Sequence, residues 1–395
     1  MKVILLDDKP EQASRWESQI VKGFVDGGLD TPNIHVILKD DDELSGIVTM
    51  LHRRRQAARE GTEWPTGQFP LDGADVLVVD FDLLDFGDHG DTTGARLAYL
   101  ARCYSSVSFI MVMNQFGTNR FDLNLSGRLD SFADLDIGSY QVGNAGLWSH
   151  SFPEYRPWAW PVVPEAVQTR KRLVRAVAKQ LDKNVLQYLG FDESAASRFS
   201  DQVARYLGGR GEAGTITFRQ VVEESPIGLA ASDKVPDDLW AARIAVARVT
   251  KWLTNVVLPR QDTLVDAPHL VSRFPSLLTD PDALESWNRT ASLAGHIQRL
   301  GIRNRRITNH HFTGWEWVGR HCWSWHSLSA DSSIEEVDSP WSRRELDWTF
   351  AEDSSRFTLP GDSRRFVPAT DSPFRLRYVE QPDKNVEYTP ASRLD

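Results

Sequence analysis

Cysteine is nearly absent: Cys103 and Cys322 are the only two in 395 residues. That excludes a disulfide framework and favours a reducing compartment, so the expected location is cytoplasmic. No apolar run approaches the roughly 20 residues needed to cross a bilayer, and no membrane association is expected. The N-terminus passes almost at once into the apolar run Val3 to Leu6, which leaves no room for a signal peptide. Positive charge is also in deficit, with 45 Lys and Arg against 55 Asp and Glu and a net charge of −10. Wholesale nucleic-acid binding is therefore not supported. A phosphate-binding Gly-rich loop, a GxSxG elbow and an HExxH helix are all missing, so no catalytic residues are assigned. Neither an internal repeat nor a low-complexity tract is visible.

What is present is ordinary in bulk, with 41% hydrophobic and 25% charged residues. At about 150 residues per domain, the length implies two or three domains. The 14 tryptophans fall mostly from Trp148 onward, and their expected role is an aromatic core.

The first part alternates strand and helix. Lys2 to Leu6 reads as a strand, Pro10 to Val25 as a helix opened by proline, and Asn33 to Leu38 as a second strand. Asp42 to Glu60 reads as a helix that starts acidic and carries Arg53, Arg54 and Arg55 in its later half. Gly61 to Gly73 is a loop, Asp75 to Asp80 a third strand, Ala95 to Cys103 a helix and Val107 to Asn114 a fourth strand. A fifth strand is expected within Ala133 to Gln141. The fourth strand is apolar almost throughout, as a strand covered on both faces should be. This pattern predicts an α/β fold with a doubly wound parallel sheet at the N-terminus. A helical region and a mixed β or irregular, aromatic-rich C-terminal region should follow. The expected boundaries are 1–145, a Trp/Pro-rich connector at 146–165, a mainly helical domain at 166–302 and a β-rich or irregular region at 303–395.

Two of these strands end in acids. Asp7 and Asp8 follow the first, and Asp80, with Asp82 just behind it, ends the third. Ligands of parallel sheets sit outside the carboxyl ends of the strands, so adjacent strands would bring Asp7, Asp8 and Asp80 to one rim. Three carboxylates there repel one another unless a hard cation lies between them, and oxygen donors suit Mg²⁺. On these residues, and on the small turn at Gly94 before Ala95-Arg96-Leu97, the segment of about 1–115 resembles the receiver domain of two-component response regulators. The resemblance implies Mg²⁺ on Asp7, Asp8 and Asp80, with Asp80 as phosphoacceptor in a phosphorelay. It implies a protein partner, a histidine kinase or a co-encoded effector, in a bacterial signalling protein. The family's Ser or Thr after the fourth strand is replaced by Met113-Asn114-Gln115, and no Lys occurs between Ala133 and Gln141. A pseudo-receiver, kept as a docking scaffold, would account for both departures.

The C-terminal part holds weaker clusters. His310, His311, His321, Cys322 and His326 lie close together in sequence, and imidazole and thiolate suit Zn²⁺. Their spacing fits no zinc pattern, and Trp315, Trp317, Trp323 and Trp325 alternate as an aromatic hairpin would. Asp262, Asp266 and His269 form a second cluster that metal-dependent hydrolysis could use. Arg170-Lys171-Arg172 and Arg303-Asn304-Arg305-Arg306 are short basic runs that could face phosphate. The leading expectation is a receiver-like module regulating a C-terminal region that binds a partner. The competing one is a metal-dependent hydrolase or nuclease regulated by that module.

Overall fold

The computed structural model describes residues 1–38, 42–81, 83, 93–114, 131–138, 142–149, 161–191, 195, 197, 199, 207, 216–224, 233–258, 263–292, 302, 305–335, 348–352, 354–366 and 377–380. Asp82, Gln115, Trp158, Trp160, Asp262, Arg303 and Asn304 lie outside the described residues.

The N-terminal part runs β1 (Lys2–Asp7), α1 (Pro10–Asp26), β2 (Asn33–Leu38), α2 (Asp42–Glu60), β3 (Val76–Asp80), α3 (Gly94–Tyr104), β4 (Phe109–Asn114) and β5 (Leu135–Gly138). Local chemistry sets several of these ends. Pro10 sits in the first turn of α1, where a missing N–H costs nothing. Asp42 and Glu43 open α2 and Arg59 lies in its last turn, in keeping with the helix dipole. The Thr93 hydroxyl accepts the Arg96 amide at 3.2 Å and caps α3.

All four pairings in this sheet are parallel, in the order β2-β1-β3-β4-β5. This is the flavodoxin-like, doubly wound arrangement, and it is compatible with a receiver-like α/β fold. Alternate strand residues bury on opposite faces. Ile4, Leu6, Leu77, Val79, Ile110 and Val112 pack with α2 and α3. Val3, Leu5, Val76, Val78, Met111 and Ile137 pack with Trp16, Ile20 and Phe24 of α1. Trp148, at the start of the expected connector, joins this second face: its ring lies 4.7 Å from that of Phe24 and its indole N–H donates to Val142 O.

α4 (Val163–Val177) covers the same face through Val163 and Val167, while Leu173, Val174 and Val177 belong to the core on the other side. After it come α5 (Val185–Leu189), α6 (Phe218–Glu223) and α7 (Asp238–Trp252), which continues as a wider turn through Leu253–Val257. α7 closes the amino edge of the sheet. Trp240 donates to Cys103 O at 2.7 Å, Arg248 to Ser131 O at 2.8 Å and Lys251 to Ala133 O at 2.7 Å. One buried core therefore runs from the sheet into the helical region.

Further on lie β6 (Leu264–Asp266), α8 (Ala267–Arg273), α9 (Leu284–Ser292), α10 (Trp315–Val318), β7 (Cys322–Ser324), α11 (Trp325–Ser329), β8 (Thr349–Ala351), β9 (Arg356–Thr358), β10 (Arg364–Phe366) and β11 (Arg377–Val379). β6 pairs antiparallel with β7, and a small mixed sheet has the order β10-β11-β8-β9. The expected aromatic hairpin is not formed. Trp315 and Trp317 lie on one helical turn, α10, bounded by Gly314 and by Gly319 at φ 75°. A left-handed residue at that position ends a helix and is cheap only for glycine. Trp323 is the centre of β7 and Trp325 opens α11, so the four indoles share no strand face.

Candidate metal centre

Sheet register brings the acids together. β1 and β3 pair in parallel with Leu6 opposite Val79, so the next residues in line are Asp7 and Asp80. Asp8 follows directly. β1 also has β2 on its other side, so the chain reverses its winding between β1 and β3. The crevice outside their carboxyl ends is the topological switch point where open α/β sheets bind ligands. The start of α3 rests against this rim, and the Gly94 amide donates to Phe81 O at 2.9 Å. A Cβ at Gly94 would run into the Asp80 carbonyl oxygen and come within 2.8 Å of Phe81 Cα. Glycine is thus required for the helix to approach β3 so closely.

One oxygen from each of Asp7, Asp8 and Asp80 lies within 4.8 Å of the others. Asp7 is 0% exposed and Asp80 7%, whereas Asp8 is partly exposed. Asp7 Oδ1 accepts the Lys9 amide at 2.9 Å, but Asp7 Oδ2 and Asp8 Oδ1 are buried without a hydrogen-bond partner. Burial is the main cause that raises the Asp7 pKa. The Lys9 amide opposes it, and the adjacent Asp8 charge adds to it. Buried carboxylate oxygens are rarely left unmatched. An all-carboxylate set with two orphaned oxygens fits a hard divalent cation such as Mg²⁺.

β4 ends at Met113-Asn114 without a hydroxyl side chain, and β5 ends at Gly138 with no lysine.

The C-terminal donors divide among separate partners. His310 Nδ1 meets Ser327 Oγ at 2.7 Å and His310 Nε2 meets Asp331 at 3.0 Å. His311 Nε2 meets His321 Nδ1 at 2.9 Å, and the Trp315 ring stacks on His321 with centroids 4.5 Å apart. Cys322 is buried, with its thiol directed to Arg320 O at 3.6 Å, and His326 lies in the first turn of α11. Among the described residues, these five do not gather into a set of three donors within reach of one ion.

Of the second cluster, Asp266 and His269 are described, and both are largely buried. His269 Nδ1 meets Asp266 Oδ1 at 2.5 Å, and Nε2 lies 3.4 Å from Glu352. Burial alone would lower the His269 pKa, but the two carboxylates together raise it. The basic run on α4 is also engaged: Arg170 pairs with Asp134, Lys171 with Asp75, and Arg172 with Glu316 at 3.0 Å. The buried trio of Arg102, Asp134 and Arg170 had no local signal in the sequence, because its members come from α3, the turn before β5, and α4.

No family model matches the chain, and neither curated proteins nor solved structures yield a match.

Proposed function

We propose that this protein is a signalling protein whose N-terminal receiver-like module holds Mg²⁺ on Asp7, Asp8 and Asp80. In this reading Asp80 is the phosphoacceptor, and the C-terminal region binds a protein partner under the module's control. The observation that carries the reading is the convergence of one oxygen each from Asp7, Asp8 and Asp80 within 4.8 Å at the switch point of the sheet, with Asp7 Oδ2 and Asp8 Oδ1 buried and without a hydrogen-bond partner. When bound, the cation would offset the carboxylate repulsion and neutralise charge on an incoming phosphoryl group. Asp80 supplies an oxygen nucleophile, Asp7 and Asp8 supply negative charge that orients the cation, and Gly94 lets α3 close on the acceptor strand.

Two parts of the family's apparatus are lacking in the sequence: the hydroxyl after the fourth strand and the lysine after the fifth. The lysine would balance charge on a phosphorylated Asp80, and the hydroxyl would report it. Without them, cation binding outlasts efficient phosphorylation as the module's retained chemistry, which is the pseudo-receiver form of the proposal. The test is incubation with a small acyl phosphate and Mg²⁺, followed by intact-mass analysis. The expected result is labelling well below stoichiometric that disappears in D80N. Stoichiometric labelling abolished by D80N would overturn the pseudo-receiver form, and labelling that persists in D80N would overturn Asp80 as the acceptor.

A further inference from the structure

The opposite edge of the same sheet carries a second, oppositely charged feature. A cavity of about 340 Å³ opens where Gly73 to Asp75 lead into β3 and Ser106 to Ser108 lead into β4. α4 and α7 form its walls. Its cationic lining comprises Arg102, Arg170, Lys171, Arg175 and Arg243, and its acids are Asp72 and Asp75.

Both acids are already engaged. Asp72 receives both terminal nitrogens of Arg54, at 3.0 and 2.6 Å, together with the Ser106 amide at 2.8 Å. Asp75 pairs with Lys171 and accepts the Lys2 amide at 2.8 Å. Behind the wall, Asp134 serves two guanidiniums, Arg102 and Arg170, and accepts the Ile110 amide as well. Among the described residues, Arg175 and Arg243 make no ion pair within 4.0 Å; Arg243 lies over the Trp240 ring at 5.1 Å and feels Asp237 and Asp72 only from further off.

The cavity thus holds more cations than anions, although the whole chain carries a net charge of −10. Composition therefore does not explain it. Burial first, and then the nearby Arg170, lower the Arg102 pKa against the pull of Asp134, and burial lowers that of Arg243. An anion in the cavity would reverse both effects. Guanidinium groups match phosphate geometry and bind it through charge-assisted hydrogen bonds. The volume lies at the lower end of the roughly 300–1,000 Å³ typical of small-molecule sites, too small for a polynucleotide.

We propose that this amino-edge cavity binds a phosphate group, free or carried by a small metabolite, with Arg243 and Arg175, neither held in a close ion pair, as its principal contacts. The proposal is independent of cation binding at Asp7, Asp8 and Asp80.

The test uses the full chain in EDTA, which silences the acidic edge, at low ionic strength. Inorganic phosphate and adenosine 5′-monophosphate are titrated separately, followed by calorimetry and thermal denaturation, with chloride at matched ionic strength as control. Saturable binding and stabilisation beyond the chloride control are expected. Tighter binding of the monophosphate assigns the site to a metabolite, and equal binding assigns it to free phosphate. The double variant R175Q/R243Q should weaken binding by about tenfold or more, the scale of a lost charge-assisted hydrogen bond. Arg175 is exposed, so R175Q alone should fold normally and still weaken binding, whatever R243Q does to stability. Stabilisation no greater than that by chloride would overturn the proposal. Unchanged phosphate affinity in R175Q and in a folded double variant would also overturn it.

Discussion

Asp7→Asn should stabilise the cation-free protein while removing its response to Mg²⁺. Asp7 is wholly buried, and its pKa is raised above 3.8, chiefly by that burial. For an acid shifted upward, the favourable contribution is present below pH 3.8 and is lost as pH rises through the folded-state value. At neutral pH the Asp7 charge therefore costs stability. Its neighbours' oxygens lie within 4.8 Å. At an effective dielectric of about 20, two unit charges at that separation repel by roughly 3–4 kcal/mol. Solvent around the partly exposed Asp8 screens this repulsion and reduces the net cost to about 1–2 kcal/mol. Asn removes it while keeping an oxygen for the Lys9 amide. Mg²⁺ at 100 times its dissociation constant should stabilise the wild type by about 2.7 kcal/mol through linkage, and the variant hardly at all. Urea denaturation at pH 7, in EDTA and in Mg²⁺, measures both quantities. A D7N protein less stable than wild type in EDTA, or equal stabilisation of both by Mg²⁺, would refute the reasoning.

Two further outcomes concern the C-terminal part. Trp323 is fully buried, so W323A should lower stability by roughly 3–5 kcal/mol in denaturant titrations, whereas W315A, at a half-buried ring, should cost distinctly less. Equal losses would contradict the packing described. His269 has a raised pKa, so its contribution should be complete below pH 6.5 and decline as pH rises through the folded-state value. D266N should flatten that part of the pH–stability curve and cost about 3–5 kcal/mol, as expected on breaking a buried charge pair. A curve unchanged by D266N would remove His269 as its source.

The N-terminal sheet was legible because its strands are short, almost wholly apolar and punctuated by helices of clear period. The acids at Asp7, Asp8 and Asp80 were legible for the same reason: strand ends fix position, and parallel pairing brings those ends together. Reading two-residue alternation at Trp315 and Trp317 as strand failed because so short a segment fits either period. The flanking Gly314 and Gly319 carried the helix-turn signal instead. Proximity of His310, His311, His321, Cys322 and His326 in sequence misled in another way, since α10 and the turn at Gly319 separate residues that a hairpin would have aligned. The amino-edge cavity had no sequence signature, because its cations converge from α3, α4 and α7 only after folding. The shared core was equally hidden: Trp240 and Lys251 reach the carbonyls of Cys103 and Ala133 across long stretches of chain.

Crystals of the full chain soaked in Mn²⁺, which takes the same oxygen donors as Mg²⁺, test the central claim most directly. The account predicts an anomalous difference peak within coordinating distance of Asp7, Asp8 and Asp80, absent from crystals of D7N. Mn²⁺ peaks elsewhere on the molecule, with none between these three carboxylates, would contradict it.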